Sequence, residues 1–158
     1  MNTLWAPWRM SYINGQKEKR CVLCAIARNK KNDKKNFVLL RGEYAFSVLN
    51  LYPYNNGHFM VCPLRHIKNL EDLNSHEISE LFTLLKKTKK MTNQTLRPHA
   101  YNIGINIGEA AGAGIAGHLH IHAVPRWAGD TNFMPVTAHT KVIPQSLVSL
   151  YKKLLIAR

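Results

Sequence analysis

The fold is decided by Gly117-His118-Leu119-His120-Ile121-His122-Ala123-Val124-Pro125-Arg126, a stretch in which three histidines alternate with apolar residues. Side chains alternate between the two faces of a β-strand, so a strand over residues 117–124 would place His118, His120 and His122 on one face. The apolar residues between them would face a hydrophobic core. The pattern therefore predicts a strand that presents a row of imidazoles, with the rest of the chain arranged to support it.

The sequence around this stretch shows the patterns of an α+β protein. Short apolar runs bounded by turn residues predict four more strands, over residues 37–40, 44–49, 58–62 and 101–107. A capping-box pattern at Asn74 and Glu77 opens a long helix, which we expect to end near residue 96, before Pro98. Shorter helical patterns cover residues 21–27 and 144–156. The order of elements predicts an α+β fold with a five-stranded antiparallel sheet, one long helix and a short C-terminal helix.

Length and charge narrow the class of protein. The 158 residues suit a single domain with a sizeable core, and 22 lysines and arginines against 9 acidic residues give a net charge of +13. This charge fits nucleotides, polyphosphates or nucleic acid, and equally a basic protein without a special partner. The basic run at 28–35 lacks interleaved aromatic residues, so a solvated loop is favoured over a nucleic-acid patch.

Cysteine content and hydropathy point to the compartment. Three cysteines do not make a disulfide framework, and the sequence shows neither a signal-peptide pattern nor an apolar run of transmembrane length. We therefore expect a cytoplasmic protein that makes no contact with a membrane.

The row of histidines admits three roles. A purely structural strand is disfavoured, because histidine has only an intermediate preference for burial. A metal site and a nucleophilic imidazole both remain open. Backbone N–H groups in glycine-rich segments approach phosphates closely, which favours an anionic substrate here. The glycines in question are Gly104, Gly108, Gly112, Gly114 and Gly117. Arg126 is interpreted as a member of a structural ion pair.

These motifs together resemble a known family. His118-x-His120-x-His122 followed by Ala123-Val124-Pro125-Arg126 resembles the signature of the histidine triad (HIT) family of nucleotide hydrolases and transferases. Further segments resemble that family in the same order, namely Asn50-Leu51-Tyr52-Pro53 with Gly57-His58, Pro63-Leu64-Arg65-His66, and Asn106-x-Gly108. Residues 5–9 and 126–135 are similar to a bacterial branch that resembles diadenosine tetraphosphate phosphorylases.

The resemblance implies a fold, an organisation and roles for individual residues. It implies a single HIT-like domain over 1–158, with an N-terminal arm at 1–20, a core at about 21–126 and a C-terminal extension at 127–158. His120 would attack the α-phosphorus and form a nucleotidyl-histidine, which phosphate or water would discharge, while His122 would bond the α-phosphate and leaving group. His118 completes the triad. The expected substrate-binding residues are Asn50 at the ribose, His58 and Asn106 at the phosphates, and the backbone at Gly114 and Gly117.

Cys21-Val22-Leu23-Cys24 has the spacing of half a zinc site. By itself the motif fits two buried small residues or a redox pair equally. Similarity to bacterial triad proteins implies a closed, structural zinc site formed by Cys21, Cys24, His66 and His118, with no organic cofactor. Gly114 departs from the family pattern, since many members carry Gln or Ser there. The resemblance also implies a homodimer in which two sheets join into one.

Two other functions stay open at this point. A non-catalytic module that binds nucleotides or nucleic acid would account for the positive charge, although an intact triad argues against it. A hydrolase with a catalytic zinc on the histidine row would leave the upstream Gly57-His58 and Asn106-x-Gly108 segments unexplained.

Overall fold

A five-stranded antiparallel sheet forms the centre of the molecule and carries helices on both faces. The computed structural model describes residues 21–131 and 142–158. Its elements, in chain order, are α1 (Val22–Arg28), β1 (Val38–Arg41), β2 (Ala45–Leu49), β3 (Phe59–Pro63), α2 (Ser75–Leu96), β4 (Ala100–Ile105), β5 (Ile121–Arg126) and α3 (Leu147–Ile156). Single 3-10 turns lie at Lys30–Asn32, Leu70–Asp72 and Glu109–Ala111. The sheet has the order β1-β2-β3-β5-β4, and the predicted α+β fold is confirmed.

Alternate residues of β2 and β3 belong to two separate hydrophobic cores. Ala45 and Phe59 belong to the cluster beneath α2 and α3, whereas Phe46 and Met60 belong to the cluster beneath α1. Every residue of β2 and β3 is buried as a result. Close packing on both faces holds β2 and β3 in place. Strand β5 pairs directly with β3 and so lies beside this rigid part of the sheet.

The long helix α2 begins and ends where the sequence predicts. The Asn74 side chain accepts the Glu77 N–H at 2.9 Å, and the Glu77 carboxylate accepts the Asn74 N–H at 2.9 Å. This capping box satisfies donors that have no partner within the helix. The helix ends at Leu96 because Arg97 adopts a left-handed conformation, with φ 48°, and Pro98 follows.

The strand predicted over residues 117–124 begins later than expected, at Ile121. His118 and His120 precede the paired strand, because the pairing of β5 with β3 ends at Ile121, which lies opposite Val61. The segment before β5 is held by other bonds: the Leu119 N–H donates to the Ile67 carbonyl at 2.6 Å. Only His122 of the triad therefore lies within β5, opposite Met60 of β3.

Other boundaries differ from the predictions by a few residues. The first strand begins at Val38 because Phe37 has a φ of 58°. The C-terminal helix begins at Leu147, where the Ser146 side chain accepts the Ser149 N–H as an N-cap. Among the described helices, none combines the length and apolar composition that crossing a bilayer requires. The N-terminal arm and the part of the 126–135 similarity beyond Thr131 lie outside the described residues.

Candidate active site and metal-ligand cluster

Four buried histidines converge where the chain enters β5. The exposed fraction is 1% for His58 and His118, 3% for His120 and 9% for His122. The rings of His120 and His122 are 4.7 Å apart between centroids, and those of His58 and His122 are 5.1 Å apart. His58, which the family resemblance assigns to the phosphates, is 1% exposed and contacts His122 through its Nε2.

A backbone N–H determines which ring nitrogen carries the hydrogen in His58 and, through it, in His122. The Tyr54 N–H donates to His58 Nδ1 at 3.1 Å, so neutral His58 carries its hydrogen on Nε2. His58 Nε2 in turn lies 2.9 Å from His122 Nδ1 and donates to it. His122 therefore carries its own hydrogen on Nε2, the nitrogen that does not face His58.

His120 has the opposite tautomer. Its Nδ1 lies 2.7 Å from the His118 carbonyl oxygen, which can only accept. The ring hydrogen is therefore on Nδ1, and the lone pair on Nε2 is available for attack or for binding. An imidazole whose Nδ1–H is held in this way directs the Nε2 lone pair outward, as a nucleophilic histidine requires.

Burial keeps the paired imidazoles neutral. Desolvation, followed by the neighbouring histidines, lowers the pKa of His58 to about 3 and the pKa of His122 to about 4. Desolvation also lowers the pKa of His118, partly opposed by its bond to the Pro63 carbonyl. His58 and His122 are thus neutral near neutral pH.

Cys21, Cys24, His66 and His118 form a second cluster beside the first, with one ligand atom from each residue within 4.8 Å of all the others. Cys21 Sγ lies 3.3 Å and Cys24 Sγ 3.5 Å from His118 Nδ1, and Cys24 Sγ lies 3.2 Å from His66 Nδ1. A tetrahedral zinc ion requires sulfur and nitrogen ligands about 3.6 Å apart. The donor set and spacing fit a zinc ion.

His118 is oriented for this cluster by a backbone bond. Its Nε2 lies 3.0 Å from the Pro63 carbonyl and donates to it, so Nδ1 presents a lone pair to the two thiols. Burial, followed by the hydrogen bond with Cys21, raises the pKa of Cys24. Cys62 is fully buried and belongs to the core under α1, as predicted.

The loop between β2 and β3 closes one side of the histidines. Asn50 accepts the Tyr52 N–H at 2.9 Å, and its amide nitrogen lies 3.3 Å from His58 Nδ1. Tyr54 is 57% exposed, with its ring centroid 4.7 Å from that of His58 and 5.8 Å from that of His122. The sequence analysis missed Tyr54, and its place between Pro53 and Gly57-His58 was the available signal. Asn55 bonds the Pro125 carbonyl at 3.0 Å and so anchors the loop to β5.

Three of the remaining predicted residues lie in the segment between β4 and β5. Asn106 follows β4 directly and is half-buried. Gly114 is exposed, and an added Cβ there would meet nothing within 4 Å. Gly117 packs beside His66 of the metal-ligand cluster, 3.6 Å from where a Cβ would lie. Arg126 pairs with Asp130 at 2.7 Å, which confirms its structural role.

Comparison with known families gives a consistent match. The sequence profile of the HIT domain matches residues 31–129. The AP-4-A phosphorylase of Mycobacterium tuberculosis is 40% identical over 154 residues, which cover 93% of this chain and 79% of that protein. An asymmetrical bis(5'-nucleosyl)-tetraphosphatase of Schizosaccharomyces pombe is 34% identical over 93 residues, which cover 59% of this chain and 50% of that protein.

Two solved structures of histidine triad proteins have a similar fold. A zinc-bound histidine triad family protein from Mycobacterium smegmatis has a TM-score of 0.68 and 25% identity, covering 87% of this chain and 91% of that one. A histidine triad nucleotide-binding protein from Sulfolobus tokodaii has a TM-score of 0.69 at 23% identity, with the same coverage of both chains.

Proposed function

The chain belongs to the HIT family, and on that basis we propose that it cleaves AMP-containing dinucleoside polyphosphates at the α-phosphate through a nucleotidyl-histidine. The observation that carries this proposal is the 2.7 Å contact of His120 Nδ1 with the His118 carbonyl, which leaves the Nε2 lone pair without a bond to any of the described residues. The names of the mycobacterial and fission-yeast relatives support diadenosine tetraphosphate as a substrate.

The chemistry follows from the positions of two nitrogens. His120 Nε2 attacks the α-phosphorus, and the bond from that phosphorus to the bridging oxygen breaks. The His122 Nε2–H hydrogen-bonds the α-phosphate and the departing oxygen, where charge develops. Phosphate then discharges the adenylyl group as ADP in a nucleotidyltransferase of the phosphorylase type, or water discharges it as AMP in a hydrolase.

We assign zinc to the cluster of Cys21, Cys24, His66 and His118 as a structural ion. Four protein ligands close a tetrahedral site, so the metal has no open position for substrate. Bound zinc would supply a cross-link between α1 and the segment entering β5. The zinc-bound relative from Mycobacterium smegmatis supports this assignment. A closed site also disfavours a hydrolase that uses the metal for catalysis.

We further propose a homodimer that joins two sheets at β4. This strand lies at one edge of the sheet, and Ile103 and Ile107 on or beside it are 48% and 43% exposed. Ile105 lines an apolar cavity of about 160 Å³ together with Ile78 and Phe82 of α2, which are 44% and 56% exposed. An uncovered apolar edge is a site for pairing with a second chain.

One experiment tests the reaction. The protein is incubated with diadenosine tetraphosphate, with and without inorganic phosphate, and the products are identified. ADP plus ATP formed only with phosphate indicates a phosphorylase, and AMP plus ATP formed without phosphate indicates an asymmetric hydrolase. His120→Ala should abolish both reactions, whereas His76→Ala, which removes an exposed imidazole on α2, should not. Binding of the substrate without any turnover would favour a non-catalytic module.

A further inference from the structure

Positive charge is concentrated in the second half of the chain. Between residues 81 and 158, the carboxylate side chains are Glu109 and Asp130, whereas lysines and arginines recur throughout. Asp130 is already paired with Arg126. The C-terminal half of α2 and the whole of α3 lie in this region and carry no acidic residue. These two helices therefore present positive charge that no carboxylate on either segment offsets.

The C-terminal half of α2 carries a stripe of lysines on its outer side. Lys86 and Lys90 are exposed and stand four residues apart, so they lie one above the other on the same side of the helix. Lys87 beside them and Arg97 at the end of the helix are also exposed. The opposite side of this half is buried against the sheet, through Leu84, Leu85, Thr88, Met91 and Thr92.

The stability of the helix does not account for this stripe. Like charges four residues apart destabilise a helix, and the residues one turn before Lys86 and one turn after Lys90 are Phe82 and Gln94. Cations gain from the helix dipole within the last turn, where α2 has no basic residue. Among the ion pairs of the described residues, none includes Lys86 or Lys90.

Helix α3 extends the positive surface. It contacts α2 and covers the same face of the sheet, and its Leu150 and Leu154 share one core with Leu84 of α2. The outer side of α3 carries two further exposed lysines. We call the exposed lysines of the two helices the basic face, which consists of Lys86, Lys87, Lys90, Lys152 and Lys153.

The basic face and the histidine triad lie on opposite sides of the sheet. Residues directly opposite each other in an antiparallel pair point to the same side, and His122 lies opposite Met60. Met60 belongs to the core beneath α1, whereas α2 and α3 cover the other core. A ligand on the basic face would therefore stay outside the candidate active site.

The composition of the basic face indicates the chemistry of its ligand. The exposed side chains of α2 from residue 86 onward are lysines and amides, with no aromatic or aliphatic side chain among them. Proteins that bind single strands stack bases on exposed aromatic residues, and helices that lie on membranes bury a row of large apolar residues. On α3, the exposed apolar residues are Val148 and Ile156, about two turns apart. Lysines in such a setting are suited to phosphates in water.

We propose that the basic face binds the phosphate backbone of a double-stranded nucleic acid, as a second site separate from the triad. Lysines that neutralise phosphates release counterions, and this release drives binding without reference to base sequence. DNA and RNA duplexes share this backbone chemistry. The inference does not depend on the proposed function, because the two sites lie on different sides of the sheet.

Binding of a short labelled DNA duplex, measured by fluorescence anisotropy over a series of salt concentrations, tests the proposal. We expect a dissociation constant of about 10⁻⁴ to 10⁻⁶ M near physiological salt, the range of sequence-independent binding. The double variant Lys86→Gln/Lys90→Gln removes two phosphate contacts. Its plot of log affinity against log salt should therefore become shallower by about 1.8. An RNA duplex of the same sequence, measured in parallel, shows which of the two is bound more tightly.

Lys68→Glu is the matched control. It gives the same net charge as the double variant, at an exposed position that precedes the 3-10 turn at Leu70–Asp72. We expect this control to keep the salt dependence of the wild type. Both variants should keep the Tm and the cleavage of diadenosine tetraphosphate of the wild type, because the substituted side chains are exposed and distant from the triad.

The outcomes that would overturn the inference are specific. One is the absence of saturable binding of either duplex by the wild type, and another is an equal change of salt dependence in Lys68→Glu. Displacement of the duplex by diadenosine tetraphosphate would place it in the candidate active site instead. Tighter binding of single strands would indicate contacts with bases. Binding to vesicles that contain phosphatidylserine, without binding to duplexes, would identify a membrane surface as the partner.

Discussion

His118 and His120 offer a matched pair of substitutions with different expected consequences. Both imidazoles are buried, with exposed fractions of 1% and 3%, and each donates one hydrogen bond to a backbone carbonyl. Replacing either by Ala leaves a similar void and one carbonyl without that donor, a loss of about 1–3 kcal/mol in each case. These costs largely cancel between the two variants.

The difference that remains is the metal ligand. Of these two histidines, His118 is the one that faces the thiols of Cys21 and Cys24. Zinc present at about 100 to 1,000 times its dissociation constant stabilises the folded state by about 3–4 kcal/mol. For a chain of this length, that free energy corresponds to a Tm about 6–16 °C lower in His118→Ala than in His120→Ala.

The assay combines metal analysis, thermal unfolding and turnover. His120→Ala should retain stoichiometric zinc and lose activity, whereas His118→Ala should lose zinc and unfold earlier. Stripping zinc with a chelator should bring the two Tm values together. Equal Tm values with equal zinc content before chelation would refute the division of roles between the two histidines.

Three further outcomes follow from the same geometry. Cys24→Ser should reduce zinc content and lower the Tm, and added chelator should then lower it no further, as differential scanning calorimetry can check. Ile103→Lys places a charge at the β4 edge and should halve the mass measured by light scattering. The control Val148→Lys, at a position 54% exposed on α3, should leave the mass unchanged. A mass unchanged by Ile103→Lys would argue against that interface. Folding lowers the pKa values of His58 and His122, so the unfolded chain binds more protons than the folded chain. The free energy of unfolding should therefore fall as the pH drops from about 6.5 towards 4. Chemical denaturation that shows no such loss across this range would contradict the assignment of both imidazoles as neutral.

Local sequence patterns predicted most of the fold. The capping box at Asn74 and Glu77 placed the start of α2 correctly because both of its hydrogen bonds lie within four residues. The predicted strands also match the sheet closely, because period-two alternation and turn residues act locally. The error at Ile121 arose from a contact beyond the reach of any local pattern, since Leu119 bonds Ile67 rather than the neighbouring strand.

The candidate site also depends on contacts between residues that are distant in sequence. The triad and the Cys21-x-x-Cys24 spacing are visible in the sequence, whereas the joining of that half-site to His66 and His118 was predicted from family resemblance alone. The ring nitrogen that carries each hydrogen depends on partners distant in sequence, such as His58 and His122, which are 64 residues apart. The sequence therefore identified the imidazoles and, through the family resemblance, suggested their roles, whereas the tautomers depend on contacts that no local pattern reveals.

Direct detection of the adenylylated enzyme is the sharpest test of the central claim. The protein is mixed with diadenosine tetraphosphate without inorganic phosphate, quenched rapidly, digested under conditions that preserve phosphohistidine bonds, and analysed by mass spectrometry. We predict an added adenylyl group on the peptide that contains His120, and neither label nor turnover in His120→Asn. Turnover that survives in His120→Asn, or an adenylyl group found on another residue, would contradict the assignment of His120 as the nucleophile.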